Sequence, residues 1–443
     1  MKPRPIAPKM QDYQARPDFD LMKVLTASQD EMDRSDRYLS WEELRYKNPP
    51  KGITNAEWWI GLKIQRRNAR RTTPLLDKKG VPFTFSYTNM MLDLAHRIDL
   101  KAGGALQADH DDLLSEAGRN KYLLTSVTEE SIMSSMLEGA VVTRSEAKEL
   151  LRSHRKPTNE HERMVMNNYQ TMQQILAWKK EPFTVQRILE LHRMMTRNTL
   201  SAPEKVGRLR TAKDDVRVET AIEGDLIHTP PPAEELPERL QKLCDFANEK
   251  DSPFFLHPVV RAIILHFWLA YDHPFVDGNG RTARALFYWM MLKEGFWAFE
   301  YISISREIFA HSKRYYDSFL HTEEDENDLN YFICDQLKTI TESIKHLYEY
   351  AARKKREQQH LLASLKNVVL LNFRQRMFIT RLLKNPDRST NAAAYSKEYQ
   401  VAKQTALTDL GELVKLGLLS VTKIKREFVY TPVPDLEQRA MSL

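Results

Sequence analysis

Three observations predict a mainly α-helical protein built from several domains. Apolar residues recur at helical spacing in long stretches, among them Val259 to Tyr271, Ala283 to Leu292, Leu329 to about Lys366 and Lys403 to Leu416. Strand-like patterns are confined to two short places, 211–229 and about Lys423 to Glu427. A chain of 443 residues with 42% apolar content is also long enough for two or three domains with real cores.

From the start, Met1 to Asp20 bears prolines and no apolar h-region, which argues against a secretory signal. Residues 1–110 read as a helical region, with Trp41-Glu42-Glu43-Leu44 and Trp58-Trp59-Ile60 in a small subdomain. The cluster Arg66-Arg67-Asn68-Ala69-Arg70-Arg71 could touch nucleic acid, but a solvated helix face is expected. Residues 111–180 hold a helix whose stripe Ile132, Met133, Met136 and Leu137 faces a core, with Gly139 suited to the position just past its end. Cys244 and Cys334 lie far apart in helical segments, so buried thiols in a reducing compartment are expected, without a disulfide or zinc site. The longest apolar tract, Val259 to Tyr271, contains Arg261 and His266 and is too short to span a membrane. Cytoplasmic location and no membrane partner follow as expectations.

The densest chemistry lies at residues 273–284, His-Pro-Phe-Val-Asp-Gly-Asn-Gly-Arg-Thr-Ala-Arg. Gly278 and Gly280 let backbone approach a ligand closely, and the helix that follows points its free N–H groups at that spot. Arg281 and Arg284, three apart, project to neighbouring helical positions and can hold successive phosphates. Asp277 is a hard oxygen ligand suited to Mg²⁺ beside those phosphates. His273 can take a proton from a hydroxyl near neutral pH. A Walker loop is excluded because no Gly-Lys-Ser/Thr follows, and an EF-hand because Arg281 sits where an oxygen ligand is due. A lone His after an apolar helix is more often a cap or core residue; the company of His273 reverses that reading. The chemistry implied is nucleotidyl or phosphoryl transfer.

These residues resemble the Fic family signature His-x-Phe-x-Asp/Glu-Gly-Asn-Gly-Arg-x-x-Arg, met at every specified position. The resemblance extends to His257-Pro258-Val259-Val260-Arg261-Ala262 and to Gly207-Arg208-Leu209-Arg210 and Thr229-Pro230-Pro231-Pro232, which look like the segments bracketing the Fic flap. It implies transfer of AMP from ATP to a hydroxyl side chain of a protein, with His273 as base, Asp277 as Mg²⁺ ligand, Gly278, Asn279 and Gly280 as anion cradle, Arg281 and Arg284 as phosphate clamps and Phe275 as a core anchor. Relatives that transfer phosphate typically carry Lys at the second motif glycine, so Gly280 argues for AMP. Residues 211–229, with Val216, Val218, Ala221 and Ile227, are expected to form a β-hairpin flap whose edge holds the target by main-chain pairing.

Upstream, Ser134-Ser135-Met136-Leu137-Glu138-Gly139 is by itself a helix end. It also resembles the Ser-x-x-x-Glu-Gly motif of Fic proteins that carry an inhibitory helix before the catalytic domain. That resemblance implies a Glu138–Arg284 pair, expected as a bidentate contact, that denies Arg284 to the ATP γ-phosphate.

Charge is uneven. Between Ala351 and Tyr430 there are 16 Lys and Arg against 6 Asp and Glu, a local +10, which leaves about −4 for the rest of a chain whose net charge is +6. Arg353-Lys354-Lys355-Arg356 reads as a solvated linker face, and the acidic run Glu323-Glu324-Asp325-Glu326 as a solvated loop, with Asp328 capping the next helix. Beyond the linker, helices at Met377 to Leu383, Asn391 to Glu398 and Lys403 to Leu416, with a turn at Asn385-Pro386-Asp387 and a two-strand pattern, resemble a winged helix-turn-helix domain. Lys403, Gln404, Thr405 and Thr408 would head its recognition helix, and Lys423, Lys425 and Arg426 its wing.

The expected organisation is 1–110 N-terminal helical region, 111–180 inhibitory helix region, 181–345 Fic domain, 346–370 linker and 371–443 winged helix. Alternatives to an autoinhibited adenylyltransferase are a DNA-binding regulator that senses nucleotide and an enzyme that mainly removes AMP. Whether the C-terminal domain contacts DNA or protein, and whether the chain forms a homodimer, stays open.

Overall fold

A computed structural model describes residues 5–14, 16–34, 38–103, 116–153, 155–219, 226–248, 254–366, 370–384, 389–424 and 427–441. The chain divides into two units, one of 1–105 and 126–344, the other of 106–125 and 345–443. Both are rich in helices, as expected.

The first unit opens with α1 (Met10–Gln14), α2 (Leu21–Arg34), α3 (Trp41–Leu44) and α4 (Asn55–Asn68). Ser40 and Thr54 each close a capping box, with Glu43 and Glu57 reaching back to the cap N–H, so α3 and α4 start where they do. Helices α2 and α4 pack together, and a Cβ at Gly61 would collide with Ser28, so glycine permits that approach. Val24, Leu44, Trp58 and Trp59 form the local core.

A hairpin then departs from the all-helical expectation for 1–110. Strands β1 (Arg71–Leu76) and β2 (Pro82–Phe85) pair antiparallel, Arg71 opposite Phe85 and Leu76 opposite Pro82, with a register shift between. Pro74 and Pro82 demote this stretch as a strand on sequence grounds, because proline cannot donate to a ladder. Burial of Phe83 and Phe85 outweighs that: Phe83 meets Phe267 and Tyr271 edge-on.

Helices α5 (Asn89–Ala102), α6 (Glu116–Leu137), α7 (Arg144–Ser153), α8 (Glu160–Trp178) and α9 (Val185–Met195) lead to the short flap strands β3 (Val218–Glu219) and β4 (Leu226–His228). These pair antiparallel, Val218 with His228 and Glu219 with Leu226. The flap residues between them, including Ala221, lie outside the described residues, but the expected hairpin is present at its base. Helix α10 (Leu236–Ala247) follows, then α11 (Pro258–Asp272) and α12 (Asn279–Lys293), which bracket the motif. Proline at the first position and the His257 cap fix the start of α11, and nearly every residue of α11 and α12 is buried. Helices α8 and α9 pack on α12, and α10 packs on α11. The unit continues through α13 (Ile304–Ala310), α14 (Ser312–Glu324) and the first part of α15 (Asn330–Lys366).

Two charge runs read as solvated are largely exposed and also pair with each other. Glu326 bonds Arg67 and Arg70, Asp325 bonds Lys63, and buried Asp328 lies 3.7 Å from Arg70 and accepts from Tyr38 (2.6 Å). Arg66 is buried beneath, donating to the Leu39 carbonyl and the Tyr331 hydroxyl, over the Tyr38 ring at 3.7 Å. Complementary charges some 260 residues apart in sequence balance each other while Arg67 and Glu326 stay about half exposed, so this face is paired and still solvated. Asp328 does bond the Asn330 N–H at the start of α15.

The second unit carries α16 (Phe373–Lys384), α17 (Ala392–Tyr399), α18 (Lys403–Lys415), a three-stranded sheet and α19 (Leu436–Met441). Its strands β5 (Thr390–Asn391), β6 (Leu419–Ile424) and β7 (Glu427–Pro432) lie in the order β5-β7-β6, one strand more than the pattern suggests. Phe378, Ile379, Leu382, Tyr395, Ala406, Leu410, Leu413 and Leu419 make its core. The turn Asn385-Pro386-Asp387 and the wing residues Lys425 and Arg426 lie outside the described residues.

Candidate active site

The motif occupies the turn between α11 and α12, and its conformation is held by backbone. His273 ends α11 in the left-handed region (φ 46°), and Gly278, also left-handed (φ 81°), caps α12 without a side-chain bond. A Cβ at Gly278 would press on Thr196, so glycine is required there twice over, by φ and by space. The first N–H groups of α12 have no carbonyl of their own helix to bond, and the turn leaves them at the site. Asn279 is not a free ligand: its side chain is buried and closes the turn, accepting from the Phe275 N–H and donating to the Phe275 carbonyl, both at 2.9 Å. Phe275 is buried in the core, as expected.

His273 Nδ1 lies 3.3 Å from the Ala270 carbonyl. A carbonyl can only accept, so Nδ1 carries the proton and Nε2 keeps its lone pair. Burial pushes the His273 pKa down to about 4, outweighing the nearby Glu138 carboxylate, so the imidazole is neutral at neutral pH. Buried Arg210 holds the site's edge: it donates to the carbonyls of His273 (2.8 Å), Pro231 (2.6 Å) and Asp272 (3.2 Å), while its N–H bonds the Pro274 carbonyl. The two segments that bracket the flap are thereby tied to the motif through one guanidinium.

The paired arginines have different settings. The Arg281 side chain is wholly buried under the loop, bonded to the Met195 carbonyl (3.4 Å) and to Asp277 Oδ2 (3.1 Å), whereas the Asp277 side chain is 51% exposed. Arg281 therefore meets the site through Asp277 and not as an open fork. Arg284, also buried, donates from Nε to Ser134 Oγ (2.9 Å) and from Nη2 to the Ser134 carbonyl and Glu138 Oε1 (both 2.9 Å). The pair is real but not bidentate, because Ser134 takes the guanidinium edge that a second carboxylate oxygen would need. Burial depresses Arg284, and Glu138, Tyr315 and Glu130 together outweigh it, leaving its pKa raised. A Cβ at Gly280 would land on the Glu138 carboxylate, so Glu138 rests directly on the phosphate-loop backbone. Gly139 just past α6 has φ 87°, the expected helix end.

Sequence reasoning missed three residues here. Glu130, two turns before Glu138 on α6, is buried and accepts from the Tyr288 hydroxyl (2.8 Å), Ser303 Oγ (2.8 Å) and the Ser305 N–H (3.0 Å). His228 on β4 lies 3.0 Å from Glu323 and 2.7 Å from the Tyr271 carbonyl. His192 on α9 is buried against Phe275 with ring centroids 3.7 Å apart. The one available signal for His192 is a polar residue on the apolar face of a helix, beside Ile188, Leu191 and Met195.

A turn that pairs a neutral histidine with a glycine-lined helix N-terminus and buried arginines has the chemistry to receive an anion such as phosphate, on a helical fold. Residues 182–291 match the Fic/DOC family. Over 121 residues it is 36% identical to the protein adenylyltransferase Fic of Nematostella vectensis, covering 27% of this chain and 26% of that protein. Over 122 residues it is 34% identical to the protein adenylyltransferase fic-1 of Caenorhabditis elegans, covering 28% of this chain and 22% of that protein. The matched stretch is thus about a quarter of those relatives' own lengths. A Fic family protein from Desulfovibrio desulfuricans G20 shares the fold, with TM-score 0.51 at 16% identity over 79% of this chain and 97% of that one. Among the described residues, both cysteines are buried and outside any disulfide, no helix is long and apolar enough to cross a membrane, and no cluster of three or more His, Cys, Asp or Glu could hold a metal.

Proposed function

We propose that this protein transfers AMP from ATP to a hydroxyl side chain of a protein and restrains itself through Glu138. The observation that carries the reading is a neutral His273, its Nε2 free to accept, beside the N-terminus of α12. His273 takes the proton of the incoming hydroxyl, the oxygen bonds the α-phosphorus, and the bond to pyrophosphate breaks. The N–H groups at Gly278, Asn279 and Gly280 receive phosphate oxygens, and Arg284 binds the γ-phosphate once Glu138 withdraws. The exposed Asp277 carboxylate fits Mg²⁺, which needs only one or two carboxylates when phosphates supply other ligands and would neutralise phosphate charge there. Arg281 holds Asp277 for that task. The flap edge accepts the target segment, in a cytoplasmic setting.

Incubation with ATP labelled at the α-phosphate tests this. Label should enter protein, and His273→Ala should lower incorporation roughly 10²- to 10⁴-fold with ATP binding retained; equal incorporation by both proteins would remove the assignment. Release of AMP from a pre-modified target, in excess of its transfer, would favour a de-modifying enzyme instead.

A second reading concerns the C-terminal unit as a winged helix. Lys403, Gln404 and Thr408 are exposed at the head of α18, and Lys423 is exposed on β6, the arrangement of a groove-facing helix with a basic strand. Binding to DNA fragments should then weaken steeply with salt, and Lys423→Ala should flatten that slope by about one unit. No binding at low salt would favour a protein-docking role.

A further inference from the structure

His192 lies outside the motif yet contacts it on two sides. Its Nε2 is 2.9 Å from the Asp277 carbonyl, and its Nδ1 accepts the Gly207 N–H at 3.1 Å. An N–H can only donate and a carbonyl only accept, so the pair of contacts fixes one neutral tautomer, with the proton on Nε2. Burial lowers the His192 pKa to about 4, in keeping with that form. The ring is parallel to Phe275, 4° from coplanar, and so cannot tilt without losing that stack.

The geometry points to His192 as a positioning residue that aims the anion cradle and anchors the base of the flap at once, a role that rests on the nucleotidyl-transfer reading. In a trans peptide the carbonyl and the next N–H point in opposite directions. No peptide here is cis. Holding the Asp277 carbonyl toward His192 therefore turns the Gly278 N–H the other way, away from the core helix α9 and fixed before any phosphate arrives. Free rotation of that peptide would cost affinity each time a nucleotide bound. The opposite ring nitrogen holds Gly207 (φ 72°), three residues before Arg210, whose guanidinium joins the flap-bracketing Pro231 to His273. One imidazole thus sets both the cradle and the start of the segment that leads to the flap.

Three substitutions separate these contacts. His192→Gln puts an amide donor near the Nε2 position and loses the acceptor for Gly207. His192→Asn puts an oxygen near Nδ1 and loses the donor to Asp277. His192→Phe keeps the stack and loses both. In full-length protein carrying Glu138→Gly, ATP affinity with Mg²⁺ present is measured by calorimetry, and tryptic cleavage at exposed Lys213 and Arg217 reports on the flap base. The Asn and Phe variants should bind ATP roughly 5- to 30-fold more weakly. The Gln variant should stay within about threefold of its parent. Cleavage should accelerate in Gln and Phe and not in Asn. An Asn variant with full ATP affinity, or three variants whose changes simply track a common loss of melting temperature, would overturn the assignment. Should the parent itself fail to bind ATP, the nucleotidyl-transfer reading falls, and the cleavage pattern still decides whether His192 anchors the flap base.

Discussion

Glu138 and Asp409 each face one arginine, in different units, and the surroundings give the two pairs opposite characters. Asp409 is 4% exposed and collects donors: Arg374 at 2.8 and 3.2 Å, Asn372 at 2.7 Å and the Tyr395 hydroxyl at 3.3 Å. Glu138 is 22% exposed, sits past the last turn of α6 and makes one side-chain hydrogen bond, to an Arg284 that Ser134 already holds twice. Removing Asp409 strands the buried Tyr395 hydroxyl and unpairs the partly exposed Arg374 and Asn372. Removing Glu138 strands none, since Arg284 keeps both bonds to Ser134. The Glu138 pair balances a buried guanidinium through one carboxylate at a helix end, a place that an anionic phosphate can take over, whereas the hub at Asp409 is suited to permanence.

Asp409→Ala should have the largest effect, destabilising the C-terminal unit by roughly 2 kcal/mol, because the buried Tyr395 hydroxyl loses its acceptor while Arg374, a third exposed, turns to solvent. Calorimetry would show it as loss of one transition, with labelling by ATP unchanged; an intact C-terminal transition would break the contrast. Glu138→Gly should raise labelling on the order of 10²-fold, since correct placement of the α-phosphate supplies much of such a rate. Its melting temperature should fall in the absence of nucleotide, because buried Arg284 loses its carboxylate, and recover when ATP supplies the negative charge; a drop that ATP does not recover would make Glu138 a structural residue. Ser134→Ala in that background should take back part of the gain and cost about 1 kcal/mol of stability, because Arg284 Nε then lacks its acceptor. Labelling rates of the single and double variants, read side by side, report the coupling.

Acid should sharpen the same contrast more gently. His192 and His273 have folded pKa values of about 4 against about 6.5 unfolded. The unfolded chain therefore takes up protons first, so stability from these residues is complete above about pH 6.5 and is lost as pH falls toward 4. Melting temperatures across that window should fall for the catalytic unit, and His192→Phe should shrink the slope; a flat profile would show that both rings are freely solvated.

What could be read without coordinates was whatever the chain encodes locally. The motif, the helix end at Gly139, the flap and the three helices of the C-terminal unit all depend on neighbours within a few residues. The hairpin β1–β2 escaped because its two prolines speak against strands while its reason for forming, Phe83 against Phe267, is 184 residues away. The same distance hid the pairing of Glu326 with Arg67 and Arg70, and left His192 looking like an oddity on an apolar helix face. Partners brought together by the fold leave no periodicity to detect.

The contact between Glu138 and the bare Cα of Gly280 ties two parts of the gene to one history. A methyl group at 280 would push the flexible end of Glu138 off that contact, so a lineage that keeps Glu138 carries a second reason for glycine there, beside the close approach of phosphate, and one that abandons it sheds that reason. Substitutions at 280 would thus be expected to follow loss of the glutamate in descent and seldom to precede it, and a library randomised at both codons should return that order as a correlation between them.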